Sequence, residues 1–85
     1  MNGEVIGQEL KKAVRIQIVT GKPKIAKRTY KRLQKNIADK DEIIRMMAHC
    51  LSVEMYDMMK NNRLFDRHNY KRLLELLPDE EAIYN

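Results

Sequence analysis

Hydrophobic residues recur every three to four positions in four stretches of the chain, with short polar turns between the stretches. This spacing places them on one side of an α-helix, whereas a half-buried strand would alternate every second residue. The pattern predicts four helices, over residues 4–20, 23–36, 40–62 and 67–77. An acidic C-terminal tail follows over residues 79–85. Because the connections are short, we expect an all-α, compact four-helix bundle-like single domain over residues 1–85.

The predicted third helix carries apolar residues on more than one side. One stripe has helical spacing and consists of Ile44, Met47, Ala48, Leu51, Met55 and Met58. A second stripe consists of Ile43, Met46, Cys50 and Val53. A helix that is apolar over most of its circumference must be covered over most of it. In a chain of 85 residues, either the other three helices or a second copy of the protein must provide that cover.

Residues at the predicted helix boundaries are those that start and stop helices. Gly21 suits the left-handed position after the first helix, and Pro23 suits the first turn of the second. Asp39 and Asp66 are favourable N-cap residues for the third and fourth helices. Pro78 cannot continue a helix and marks the end of the fourth. These signals agree with the boundaries that the hydrophobic spacing predicts.

Two segments need a further interpretation. Residues 15–20 contain β-branched residues in partial alternation, so a strand is the alternative to a helix there. The helical interpretation is favoured because the 3.6-residue spacing continues through the whole first segment. Its inward residues are then Ile6, Leu10, Ala13, Val14 and Ile18. Between the third and fourth helices, we expect Leu64 and Phe65 to anchor the turn in the core.

The charge of the chain is unevenly distributed. The net charge is +5. Residues 1–38 hold ten Lys or Arg against two Glu, a charge of +8, whereas residues 39–85 hold seven against ten Asp or Glu, a charge of −3. Such asymmetry indicates either an anionic partner or two parts of the fold that attract each other.

The predicted second helix has a basic outer side. Its cations are Lys24, Lys27, Arg28, Lys31, Arg32 and Lys35. Phosphate contacts from such residues support sequence-independent binding to nucleic acid. A solvated helix surface also carries many charges, and no zinc-finger or RNA-recognition pattern accompanies this one. Binding of nucleic acid is therefore the alternative function.

No catalytic or cofactor motif accompanies the polar residues. His49 and His68 lack the spacing of a metal-ligand pair. Cys50, next to His49, points about 100° away from it on a helix. Because Cys50 is the single cysteine, no internal disulfide is expected. We therefore expect a non-enzymatic protein with no cofactor and no metal. We also expect it to be cytoplasmic, since no apolar run reaches the roughly 20 residues of a membrane span.

Several short motifs occur in a familiar order. They are Thr20-Gly-Lys-Pro23, Thr29-Tyr-Lys-Arg-Leu33, Met46-Met-Ala48, Glu54-Met-Tyr56, Phe65-Asp-Arg-His-Asn-Tyr70 and Leu77-Pro78. This order resembles a family of small bacterial proteins of unknown function. The resemblance implies a helical fold and a bacterial, cytosolic origin, and it implies no activity. Some longer members have two histidines at the start of the corresponding third helix, where this chain has Asp41 and Arg45, so a metal-linked role of those members does not carry over to this chain.

These observations favour a non-catalytic protein-interaction module, an adaptor or regulator, over the nucleic-acid alternative. Its partner would be another protein or a second copy of the chain, and no membrane association is expected. Symmetric pairing is a common way to cover leftover apolar surface. The residues expected at a homodimer contact are Met46, Cys50, Val53 and Met59.

Overall fold

The computed structural model describes the backbone of residues 3–84 and the side chains of residues 7–83. Four α-helices follow one another in it: α1 Gly3–Thr20, α2 Lys24–Gln34, α3 Lys40–Lys60 and α4 Arg67–Leu76. A short 3-10 helix, Glu80–Tyr84, comes after α4. The all-α prediction is confirmed, and α3 is the longest helix of the described chain. The predicted inward position of Ile6 lies outside the described side chains.

The first helix is continuous up to a glycine. Residues 15–20 are helical, so the strand alternative does not apply. The Thr20 hydroxyl donates to the Ile16 carbonyl at 2.7 Å, and the Gly21 N–H donates to the Gln17 carbonyl at 2.8 Å. Gly21 has a φ of 67°, in the left-handed region that glycine adopts without a Cβ clash. The chain therefore leaves α1 where the sequence predicts.

Both ends of α3 are closed by side-chain or backbone hydrogen bonds. The Asp39 carboxylate accepts from the N–H groups two and three residues further on, at 3.0 and 3.4 Å. At the other end, Asn62 has a φ of 50°, and the Arg63 N–H donates to the Met58 carbonyl at 3.0 Å. This is the Schellman arrangement, in which Asn takes the position that usually needs glycine. It stops α3 at Lys60, two residues before the predicted end.

The third helix lies at the centre of the bundle. It contacts α1, α2, α4 and the 3-10 helix. Arg15 of α1 lies beside Asp41 at the start of α3, whereas Gly7 shares a cleft with Ser52 further along, so the two helices run antiparallel. The buried apolar residues form one cluster: Val14, Ala26, Leu33, Ile43, Ile44, Met46, Met47, Ala48, Cys50, Leu51, Tyr70, Leu73, Leu74, Leu77 and Ile83.

Polar groups within this core have partners. The Tyr70 hydroxyl donates to Gln17 Oε1 at 2.7 Å, which joins α4 to α1. Burial raises the pKa of Tyr70, so the phenol stays protonated and keeps donating. Among the described residues, no buried side-chain nitrogen or oxygen is left without a hydrogen bond.

The 3-10 helix occupies part of the predicted acidic tail. Ile83 is buried in the common core, so this segment packs against the helices. In the described part of the chain, no helix combines the length and the apolar character needed to cross a bilayer.

Candidate functional site

The predicted basic surface lies on the outer side of α2. All six of its predicted cations are exposed: Lys24, Lys27, Arg28, Lys31, Arg32 and Lys35. The opposite side of the helix holds Ala26, Thr29 and Leu33, which are buried. The separation follows from helical periodicity, since positions three and four apart share a side.

Arg32 differs from its five neighbours because it supports α4. Its Nη1 donates to the Leu77 carbonyl at 2.8 Å and its Nη2 to the Leu74 carbonyl at 3.0 Å. The last carbonyls of a helix lack intrahelical partners and carry partial negative charge, so a guanidinium there is favourable. Among the described side chains, the other five cations form no ion pair. They constitute the α2 basic stripe, defined as Lys24, Lys27, Arg28, Lys31 and Lys35.

The residues predicted for self-association do not form one surface. Met46 and Cys50 are buried within the single chain, so they offer no surface to a second copy. The physical reason is that α1, α2, α4 and the 3-10 helix together cover the second apolar stripe of α3. Val53 packs partly against the core, and Met59 is 73% exposed. Of the four residues, Met59 alone is fully available for contact, and the homodimer itself stays a prediction.

A buried carboxylate organises the turn between α3 and α4. Glu54 has no exposed surface, and Arg63 donates to both of its oxygens, at 2.7 and 2.9 Å. The Asp66 N–H and Asn69 Nδ2 each donate to it at 2.7 Å. Asp66 in turn caps α4 by accepting from the N–H groups of the two residues that follow Arg67. One side chain of α3 therefore fixes both the turn and the start of α4.

This network holds Glu54 in its charged form. Hydrogen bonds from Arg63 lower the pKa of the Glu54 carboxyl to about 2, against the opposing effect of burial. The same bonds raise the pKa of Arg63. The sequence carries a signal for this network. Glu54 is an acid on the helix side that also holds Met47 and Met58, and Arg63 follows just after the helix.

The fixed turn presents apolar side chains to solvent. Leu64 is 90% exposed, so the expectation that it anchors the turn in the core is wrong. The Glu54 network holds the backbone on both sides of Leu64 and leaves its side chain pointing outward. Phe65 is partly exposed and lies edge-on to the Tyr70 ring, with the centroids 5.6 Å apart. Five exposed apolar residues at this end of α3 define the apolar turn surface: Met55, Tyr56, Met59, Leu64 and Phe65.

A cleft of about 550 Å³ lies between α1, α3 and the 3-10 helix. On its wall, Arg45 donates to both Glu42 and Glu80, and His49 Nδ1 lies 2.8 Å from Glu80 Oε2. The hydrogen bond from Arg45 lowers the pKa of each of these two carboxyls. These contacts join the C-terminal segment to α3. The Ser52 hydroxyl donates to the His49 backbone carbonyl at 2.6 Å, which directs it along the helix.

Cys50 and the histidines are not brought together as a reactive group. Cys50 is buried, and burial raises the pKa of its thiol to about 12. His68 is exposed in the first turn of α4. Within the described residues, no three His, Cys, Asp or Glu side chains are grouped so that they could hold a metal ion.

No protein-family model, no curated protein sequence and no solved structure matches the chain.

Proposed function

We propose that this chain is a non-catalytic helical protein-interaction module, an adaptor or regulator, whose contact surface is the apolar turn surface. The observation that carries the proposal is the exposed Leu64 side chain on a turn that the buried Glu54 network fixes. Single exposed apolar residues, such as Val19, are common on protein surfaces, whereas Leu64 belongs to a group of five exposed apolar residues around one turn, and such a group marks an interaction site.

Rigidity of the turn supports a binding role. A contact residue that is already ordered loses less conformational freedom when its partner arrives. Glu54 restrains Arg63 and Asp66 on either side of Leu64 by hydrogen bonds of 2.7 to 2.9 Å. Met59, which is also well exposed, lies one helical turn from Met55, so both share a side of α3. Unbranched Met side chains adapt to varied apolar surfaces.

The cleft between α1, α3 and the 3-10 helix supports the non-catalytic part of the proposal. Its candidates for acid–base chemistry, His49 and Glu80, contact each other, and Arg45 donates to Glu80, so these contacts hold the 3-10 helix in place. We assign these contacts a structural role. A cytoplasmic location in a bacterium is part of the same proposal, and it rests on the family resemblance and on the absence of any second cysteine for a disulfide.

Site-specific photo-crosslinking tests the proposal. A benzophenone amino acid replaces Leu64 in one variant and Val19 in a matched control, since Val19 is 80% exposed and lies at the end of α1. We expect a discrete protein adduct from position 64 alone in cells of the host. The partner identified by mass spectrometry is then purified and titrated with the chain.

The titration supplies the decisive comparison. Leu64→Ser should weaken binding to the purified partner at least tenfold, because an exposed Leu buried at an interface contributes roughly 1.5–3 kcal/mol. Val19→Ser, which removes a similar apolar side chain elsewhere, should leave the affinity unchanged. Equal effects of the two substitutions would contradict the proposed surface.

A further inference from the structure

The α2 basic stripe is the largest group of unpaired charge on the described surface. Its five cations lie within an arc of about 100° around the helix axis, directly opposite the buried side of α2. No carboxylate among the described side chains lies within ion-pairing distance of any of them. Like charges at this spacing repel one another, so the stripe destabilises the isolated helix.

The dimensions of the stripe match a row of phosphates. Lys24 and Lys35 are separated by about 17 Å along the helix, from a rise of about 1.5 Å per residue. A duplex carries one phosphate charge per about 1.7 Å of its axis, so about ten phosphates of its two strands fall within the length of the stripe, enough for each of the five cations to contact one. Lys31 and its neighbours have long, flexible side chains that adjust to the exact phosphate positions.

The helix that carries the stripe is held rigidly. Arg32 attaches it to the carboxyl end of α4, and Ala26 and Leu33 are buried in the core. The cations therefore approach a partner as a preformed row, without an ordering cost for the backbone.

The residues around the stripe indicate which kind of polyanion it can bind. No aromatic side chain lies on it, and Tyr30 of α2 is half-buried on the other side, so there is no platform on which single-stranded bases could stack. No apolar side chain lies on it either, whereas helices that lie on membranes insert an apolar face. Among these polyanions the backbone of a duplex fits the stripe best, because it offers closely spaced phosphates and requires neither base stacking nor an inserted apolar face.

We propose that the α2 basic stripe binds the phosphate backbone of double-stranded nucleic acid without reading its base sequence. This function is separate from the proposed protein contact, because the stripe lies on α2 and the apolar turn surface lies on α3 and the turn after it. Either proposal can fail without the other.

The test measures binding of the full chain to a fluorescent DNA duplex of arbitrary sequence as a function of salt. With five phosphate contacts, the plot of log affinity against log salt concentration should have a slope of about −4 to −5 between about 50 and 200 mM salt. The variant Lys27→Gln, Arg28→Gln, Lys31→Gln should reduce the size of that slope by about 3 and weaken binding more than tenfold at the lowest salt.

A matched variant removes the same net charge elsewhere. Lys60→Gln, Arg67→Gln, Lys71→Gln substitutes three exposed cations of α3 and α4. We expect its slope to stay within about 1 of the wild-type value, because these residues would make no direct phosphate contact. Circular dichroism checks that both variants keep their helix content.

Three results would overturn the proposal: no duplex binding at low salt, equal losses in the two triple variants, or duplex binding that the stripe variant retains. Vesicles of phosphatidylcholine with about 30% phosphatidylserine provide a membrane comparison. If the stripe variant loses vesicle binding but keeps duplex binding, the stripe is a membrane surface and the duplex assignment is wrong.

Discussion

Burying a carboxylate costs several kcal/mol unless hydrogen bonds and an opposite charge replace the water that it loses. Glu54 meets that requirement with two hydrogen bonds from Arg63, one from the Asp66 backbone and one from Asn69. Every one of these donors comes from the turn or from the start of α4. The stability of the turn therefore depends on the charge state of one residue.

Low pH should remove the contribution of Glu54 to the free energy of unfolding. The folded-state pKa of about 2 lies below the ordinary value of 4.5, so the charged network stabilises the fold above pH 4.5 and is lost as the pH falls through 2. The shift corresponds to roughly 3 kcal/mol of unfolding free energy. Urea denaturation between about pH 7 and pH 2 should show this loss in the wild type and a smaller one in Glu54→Gln.

A surface acid provides the control for that experiment. Glu75→Gln removes an exposed carboxyl from α4 and should reproduce the wild-type pH profile. At neutral pH, Glu54→Gln should already be less stable than Glu75→Gln, since Arg63 then faces an uncharged partner. Identical profiles for the two variants would show that Glu54 does not control the turn.

Cys50 should react slowly with thiol reagents. Its thiol is fully buried, and burial raises its pKa to about 12, so the thiolate that attacks such reagents is scarce. We expect labelling near pH 8 to be more than about 100-fold slower in the folded chain than in urea. Rapid labelling without denaturant would mean that α3 is not covered as described.

At the level of helices, local signals in the sequence predicted the elements well. Gly21, Asp39 and Asp66 act within three or four residues of themselves, so their roles can be inferred from the sequence alone. The helices α2 and α3 nevertheless end two residues before their predicted limits, because the hydrophobic spacing does not show where a turn closes.

The contacts between helices could not be predicted from the sequence. Arg32 has the same spacing as the rest of the basic surface, and only the position of α4 shows that its guanidinium reaches carbonyl groups. Glu54 is likewise explained only once α4 is placed. Leu64 was predicted to point inward because its hydrophobicity is local information, whereas its exposure is set by the network around it.

Arg32 gives a prediction at this level. Arg32→Ala removes two charged hydrogen bonds to the end of α4 and should lower the unfolding free energy by about 1–2 kcal/mol. Arg28→Ala removes the same charge from the same helix and should change it by less than about 0.5 kcal/mol. Urea denaturation of both variants at neutral pH measures the difference. Equal stabilities would mean that the Arg32 contacts add nothing to the fold.

For the molecule as a whole, folding brings the basic and acidic parts of the chain together only in places. Arg15 pairs with Asp41, and Arg32 meets the end of α4. The α2 basic stripe stays unpaired among the described residues, and the chain keeps a net charge of +5. Two chemically different surfaces result, the α2 basic stripe and the apolar turn surface. Added salt should therefore weaken binding of the α2 basic stripe to a duplex, and it should strengthen apolar contact between two chains of the same positive charge.

The apolar turn surface also gives a prediction for self-association. Met59 and Leu64 are the most exposed apolar residues of the apolar turn surface, and a symmetric dimer would bury both from each subunit. Each contributes roughly 1.5–3 kcal/mol, against an association cost of at least about 4 kcal/mol. The four side chains of the two subunits therefore contribute roughly 6–12 kcal/mol in total, and we expect a weak homodimer with a dissociation constant from roughly 1 µM into the millimolar range.

Sedimentation across that concentration range measures the dimer. Added salt should strengthen it, because the repulsion between two chains of charge +5 is screened within about 8 Å at physiological ionic strength. Leu64→Glu should sediment as a monomer with unchanged helix content, whereas Val19→Glu, at an equally exposed apolar position on α1, should still dimerise. A monomer mass for the wild type at every concentration would end the homodimer prediction. It would leave the contact with a different protein as the remaining role for Leu64.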